Sequence, residues 1–105
     1  MSETAKSTAG EMTRRCILET GVRLWRVDPQ YVTARRIATE LNLTHGAVIY
    51  HFSRGQRLRD AVAQHAVNEG DARVIASLIA MQHKAAASLT EVQRLEFMRL
   101  AATAS

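Results

Sequence analysis

LNLTHGAVIYHF, residues 41–52, is apolar at both ends and polar in the middle. It carries His45 and His51 six positions apart, and Gly46 where a helix should be starting. Three readings compete: a metal site, a piece of core, or a surface built to meet another molecule. Metal is the weakest. Histidines six apart do not share a helical face. No H-E-x-x-H pattern occurs, and the single cysteine, Cys16, cannot build a structural zinc site. Read as a helix capped by Thr44 and running to about Tyr50, the stretch has two sides. Leu43 and Val48 point inward, with Ile49 or Phe52 closing the core beneath. Thr44, His45, Ala47, Tyr50 and His51 are left outside, and Gly46 and Ala47 let the helix approach another surface closely.

The flanking residues extend the pattern. Thr33 caps a preceding helix whose inner stripe is Ala34, Ile37, Ala38 and Leu41. Asn42, which tolerates left-handed backbone, closes it. Two short helices joined by so few residues cross steeply, the helix-turn-helix arrangement. Upstream, residues 11–26 place Ile17, Leu18, Gly21, Val22, Leu24 and Trp25 at helical spacing, and Pro29 in RVDPQY marks a turn. Downstream, Ser53 with Gln56 is a capping-box signature. It opens a fourth helix over 54–69 with Leu58, Ala61, Val62, His65 and Ala66 inside, stopped by Gly70. A fifth covers 71–84 with Val74, Ile75, Leu78, Ile79 and Met81. KAAASLT reads as a helix end and connection. Thr90 and Glu91 start a sixth helix carrying Val92, Leu95, Phe97, Met98, Ala101 and Ala102. Nothing argues for strands. The expected fold is all-α: a three-helix helix-turn-helix DNA-binding bundle extended by about three further helices. The expected organisation is a flexible arm over 1–10, a DNA-binding domain over 11–66 and a short helical dimerisation region over 67–105.

Length and charge bound the function. A chain of 105 residues buries only roughly 60–65% of its unfolded surface, so dimerisation is a common route to stability. No apolar run approaches the ~20 residues of a membrane span. MSETAKSTAG lacks the basic and apolar regions of a secretory signal, and one cysteine fits a reducing cytoplasm. The net charge of +4 is unevenly spread: between Arg14 and Arg59 nine arginines face only Glu19, Asp28 and Glu40. That concentration suits a polyanion partner, although 12 arginines among 14 basic residues also fits plain decoration of solvated helices. No glycine-rich phosphate loop, nucleophile elbow or paired carboxylates appear, so neither enzyme activity nor a cofactor is expected. Trp25 is assigned to the core, Cys16 to a small apolar or boundary position, His65 to a buried or boundary position and His83 to the surface. Arg14 and Arg15 are read as solvated, and Met81, Phe97 and Met98 as core or dimer seam.

A recognition helix in a DNA major groove needs the outer face of residues 44–51, because its N-terminal residues reach base edges. His45 is suited to guanine O6 or N7 and Ala47 to a thymine methyl. Tyr50 and His51 are long enough to reach phosphates, which position a protein without reading sequence.

VTARRIATELNLTHGAVIYHFSRGQRL, residues 32–58, resembles the DNA-binding signature of the tetracycline repressor family, and RRCILETGVRLW, residues 14–25, is similar to that family's first helix. The match covers roughly residues 13–66 and rests on Thr33, Ile37, Ala38, Thr44, Gly46, His51, Phe52 and Leu58. The resemblance implies that Thr33 meets a phosphate and that Arg35 reaches a base or phosphate. It also implies that Thr44, His45 and Ala47 read bases, and that Tyr50 and His51 contact backbone. The fourth helix would meet phosphate with its N-terminus. The pattern departs at Ile49, where a tyrosine is usual, and at Gly55, where a lysine is usual, with Arg54 and Arg57 flanking it to supply charge. The usual glycine before the second helix is absent, and Asn42 replaces a common glycine. Only about 40 residues follow the DNA-binding part, where the family carries a larger ligand-binding domain. The expected form is therefore a truncated member without an inducer pocket.

The expected function is a repressor binding double-stranded DNA at a palindromic operator as a homodimer, with no small-molecule ligand. The expected contact set is Thr33, Arg35, Thr44, His45, Gly46, Ala47, Tyr50, His51, Arg54 and Arg57. A protein-interaction module or antirepressor that keeps the fold is the alternative.

Overall fold

Thr33 and Thr44 set the register of the chain's central helices. Each hydroxyl accepts the backbone N–H three residues on, from Arg36 and Ala47 respectively, both at 3.1 Å. In the computed structural model, which describes residues 9–103, these caps open α2 (Ala34–Leu41) and α3 (His45–His51). Before them run α1 (Ala9–Val27) and a short 3₁₀ turn (Pro29–Tyr31) that Asp28 caps through Gln30 N–H. After them come α4 (Gly55–Glu69), α5 (Ala72–Ala80), a second 3₁₀ turn (Lys84–Ala86) and α6 (Glu91–Thr103). The expected all-α class is what is found, with six α-helices and no strand among the described residues. α1 begins at Ala9, so residues 9 and 10 of the expected arm are helical; residues 1–8 lie outside the described residues.

Three helices end by the same device. A left-handed residue turns the chain, and two N–H groups cap the last carbonyls in a 6→1 and 5→2 pair. Asn42 (φ 58°) ends α2, with Leu43 N–H on Ala38 O at 2.8 Å. Gly70 (φ 71°) ends α4 with Asp71 N–H on Ala66 O at 3.0 Å. Gln82 (φ 55°) does the same after α5, with His83 N–H on Leu78 O at 2.9 Å. Asn42 and Gly70 advertise this conformation and Gln82 does not. That is why α5 stops at Ala80, short of the expected residue 84.

Capping also separates expectation from outcome at two other helix starts. Thr90 and Gln93 form a reciprocal capping box, each side chain accepting the other's backbone N–H at 2.9 and 3.1 Å. Ser53 and Gln56 do not. α4 starts one residue later than that box requires, with Arg54 at the cap position and no side-chain cap. Gln56 instead donates to Asp60 at 2.8 Å.

One hydrophobic cluster runs through the described chain. It joins Ile17, Leu24 and Trp25 of α1 to Ile37, Val48, Phe52, Leu58 and Val62, and continues through Val74, Leu78, Ala85 and Ala86. α1 and α4 cross closely at Gly21, where an added Cβ would lie 2.5 Å from Val62 Cγ2. Trp25 is buried as expected, and its indole N–H donates to Ser77 Oγ at 3.3 Å. Arg26 bonds Asp71, the cap of α5, at 2.7 Å.

Several core assignments change. Cys16 is exposed because it faces outward beside Met12, Thr13, Leu41 and Leu43 rather than into the bundle. His83 is half-buried, not on the surface. Its Nδ1 accepts Ala85 N–H at 3.0 Å, its Nε2 lies 3.4 Å from Asp60, and its ring meets Trp25 edge-on. Met81 and Met98 are exposed and belong to no core. Phe97 is half-buried, as is His65, matching its boundary assignment.

Candidate nucleic-acid interface

α3 is held from beneath and left open above. Val48 and Phe52 are buried, and Leu43 and Ile49 pack partly against the core. Thr44, His45 and Gly46 are exposed, Ala47 and His51 are half-exposed, and Tyr50 is 85% exposed. Ile49 thus faces partly inward, while Tyr50 stands out and meets His51 edge-on with ring centroids 5.2 Å apart. The Thr44 hydroxyl oxygen accepts one hydrogen bond in the cap, and its hydrogen has no acceptor among the described residues. An added Cβ at Gly46 would meet nothing nearer than Thr44 Oγ1 at 4.0 Å. The fold has no use for that bare position.

α2 presents Thr33, Arg35, Arg36 and Thr39 around one shallow surface depression. Thr33 is an exposed cap with the same spare hydroxyl hydrogen as Thr44. At the start of α4, the N-terminal amides have no side-chain cap, and Arg54 and Arg57 bracket them, both exposed. Uncapped amides at the positive end of a helix dipole favour an anion.

The nine arginines between residues 14 and 59 divide into two groups. Five are engaged with protein groups. Arg14 lies 4.4 Å from the Phe52 ring centroid and donates to His51 O at 3.5 Å. Arg23 pairs with Glu40, Arg26 with Asp71, and Arg36 stacks on Tyr31. Arg59 donates to Pro29 O at 2.8 Å and Val32 O at 3.3 Å, and lies over Trp25. Arg15, Arg35, Arg54 and Arg57 have no side-chain partner among the described residues. Three of these four belong to the expected contact set.

Two positioning residues escaped sequence reasoning. Arg14, read as solvated, places a cation at the C-terminal end of α3, where the helix dipole is negative. Arg59 ties the segment ahead of α2 to α4. Their partners lie 37 and 30 residues away, so no local pattern marks them.

Away from this face, an open concavity of about 460 Å³ lies between Ile79, His83, Lys84 and Arg94. Its cations are spent inside the protein. Lys84 pairs with Asp60 at 3.0 Å, and Arg94 donates to Leu89 O and Ala86 O. Partial burial pushes the Asp60 carboxyl up, but hydrogen bonds from Lys84 and Gln56 and the charges of Lys84 and His83 outweigh it. The net result holds Asp60 below its ordinary value. No group of three or more His, Cys, Asp or Glu side chains suited to a metal gathers among the described residues, and no helix there is long and apolar enough to cross a membrane. No protein-family model, characterised protein or solved structure matches the chain.

Proposed function

We propose that this chain is a cytoplasmic, non-enzymatic DNA-binding regulator of the tetracycline repressor kind. On this reading it represses by occupying a palindromic operator as a homodimer. Two copies of α3 would enter successive major grooves about 34–36 Å apart. His45, Ala47 and Arg35 read bases. Thr44 reads with them, while Thr33, Tyr50, His51, Arg54 and Arg57 hold phosphates, and Gly46 permits close approach. The observation that carries the reading is the division of the arginines: the fold consumes five of the nine and leaves four uncommitted, of which Arg35, Arg54 and Arg57 belong to the same expected contact set as the exposed small-residue, hydrogen-bonding face of α3. Uncommitted guanidiniums meet phosphates without breaking internal pairs, and each phosphate neutralised releases counterions.

Gel shifts on the promoter upstream of the protein's own gene, with random DNA as competitor, test this. Specific retardation is expected. Equal retardation of both DNAs would indicate sequence-neutral coating. Retardation of neither would favour the alternative, a protein-interaction module or antirepressor, for which the exposed aliphatic residues of α6 offer a surface.

A further inference from the structure

Among the six α-helices, α6 alone buries no residue. Arg94, Phe97 and Ala101 are its half-buried side. Next to that side, Val92, Leu95 and Met98 stand 76%, 69% and 46% exposed, about one helical turn apart. A helix facing only water carries polar groups there. Each such side chain gains about 1.5–3 kcal/mol on full burial.

We infer that the occupant of this face is a second copy of the chain, docked as an antiparallel pair of α6 helices with its two-fold axis at Leu95. The inference rests on the homodimer reading above, though not on DNA binding. Leu95 lies at the centre of a symmetric arrangement. Val92 and Met98 are three residues to either side, and Glu91 and Arg99 are four. Antiparallel pairing about Leu95 sets Leu95 against the partner's Leu95 and Val92 against the partner's Met98. It also sets Glu91 against the partner's Arg99, twice over by symmetry. A parallel pair would oppose Glu91 to Glu91 and Arg99 to Arg99, which is repulsive. Arg99 already pairs with Glu96 one turn away, but both side chains are more than half exposed. A pair of that kind is worth little, so the guanidinium is available to a partner. The same patch meets itself, so assembly closes at two copies.

The test uses the full chain. Light scattering after size exclusion at micromolar concentration is expected to give a dimer. E91R and R99E alone should each weaken it by about tenfold in Kd, and the double variant E91R/R99E should restore it. In a C16S background, L95C should cross-link to itself on mild oxidation, and L100C, on the far side of α6, should not. Leu95 is exposed in the single chain, so L95R should give a monomer with unchanged circular dichroism. A monomeric wild type, a dimer that survives L95R, additive losses in E91R/R99E, or equal cross-linking at 95 and 100 would each overturn the inference. A dimer with all these responses that ignores operator DNA would sink the DNA reading and leave this one standing.

Discussion

Replacing Gly46 with alanine separates what the fold needs from what a partner needs. Gly46 lies in the first turn of α3 with open space where a Cβ would point. Alanine in a helix is favoured over glycine by roughly 0.5–1 kcal/mol, partly through lost freedom in the unfolded chain. The lower end applies in a first turn. For a domain of this size, a gain of ~0.5 kcal/mol raises Tm by about 2–4 °C. The DNA reading predicts the opposite sign for binding. The new methyl stands on the face proposed to lie in the groove and holds the helix off the bases. Losing one good base contact costs about 1–3 kcal/mol, or roughly 5- to 150-fold in affinity. Thermal denaturation followed by circular dichroism gives the first number, and gel shifts on promoter and random DNA give the second. A more stable variant that binds operator as tightly as the wild type would refute the placement of Gly46 at a contact. A less stable one would refute the account of α3 packing.

The other predictions separate reading from holding and test the packing. Arg35→Ala and His45→Ala should each cost ~1–3 kcal/mol on the specific operator and relax specificity. Arg54→Ala and Arg57→Ala should weaken all DNA alike and reduce the slope of affinity against salt by about 1 each; equal losses on specific and random DNA for His45→Ala would show that another face reads the bases. Gly21→Ala forces Val62 and the α1–α4 crossing apart and should destabilise by about 1–3 kcal/mol. Gly21→Ala with Val62→Ala should cost less than the two single changes summed, and chemical denaturation decides. Asp60→Asn should lower stability by less than ~1 kcal/mol near neutral pH. A carboxylate whose pKa is lowered by folding stabilises above its unfolded value and loses that contribution as pH falls through its folded value. The difference between wild type and variant should therefore vanish in strong acid, and urea titrations at pH 7 and below pH 3 check it.

What was legible in the sequence is what chemistry within a few residues decides. Thr33, Asn42, Thr44 and Gly70 act on backbone groups three or four residues away, and each announces its role by residue type. Ser53 and Gln56 mislead because a capping box needs exact register, and α4 begins one residue late. Gln82 adopts a conformation that glutamine does not advertise. The candidate site divides in the same way. Alternation along residues 43–52 shows which side of α3 faces out, because helical period alone settles it. Which arginines remain uncommitted depends on Phe52, Glu40, Asp71, Tyr31 and Pro29, partners that only the folded chain brings close.

The bond from Trp25 to Ser77 ties the N-terminal helix to α5. A fragment cut at Gly70 would strip the indole of its hydroxyl acceptor and of the His83 ring beside it, exposing a side chain that is buried in the whole chain. The half of the chain that faces outward through α3 is therefore expected to lean on α5 for its stability. It should melt together with α5, in a single cooperative step.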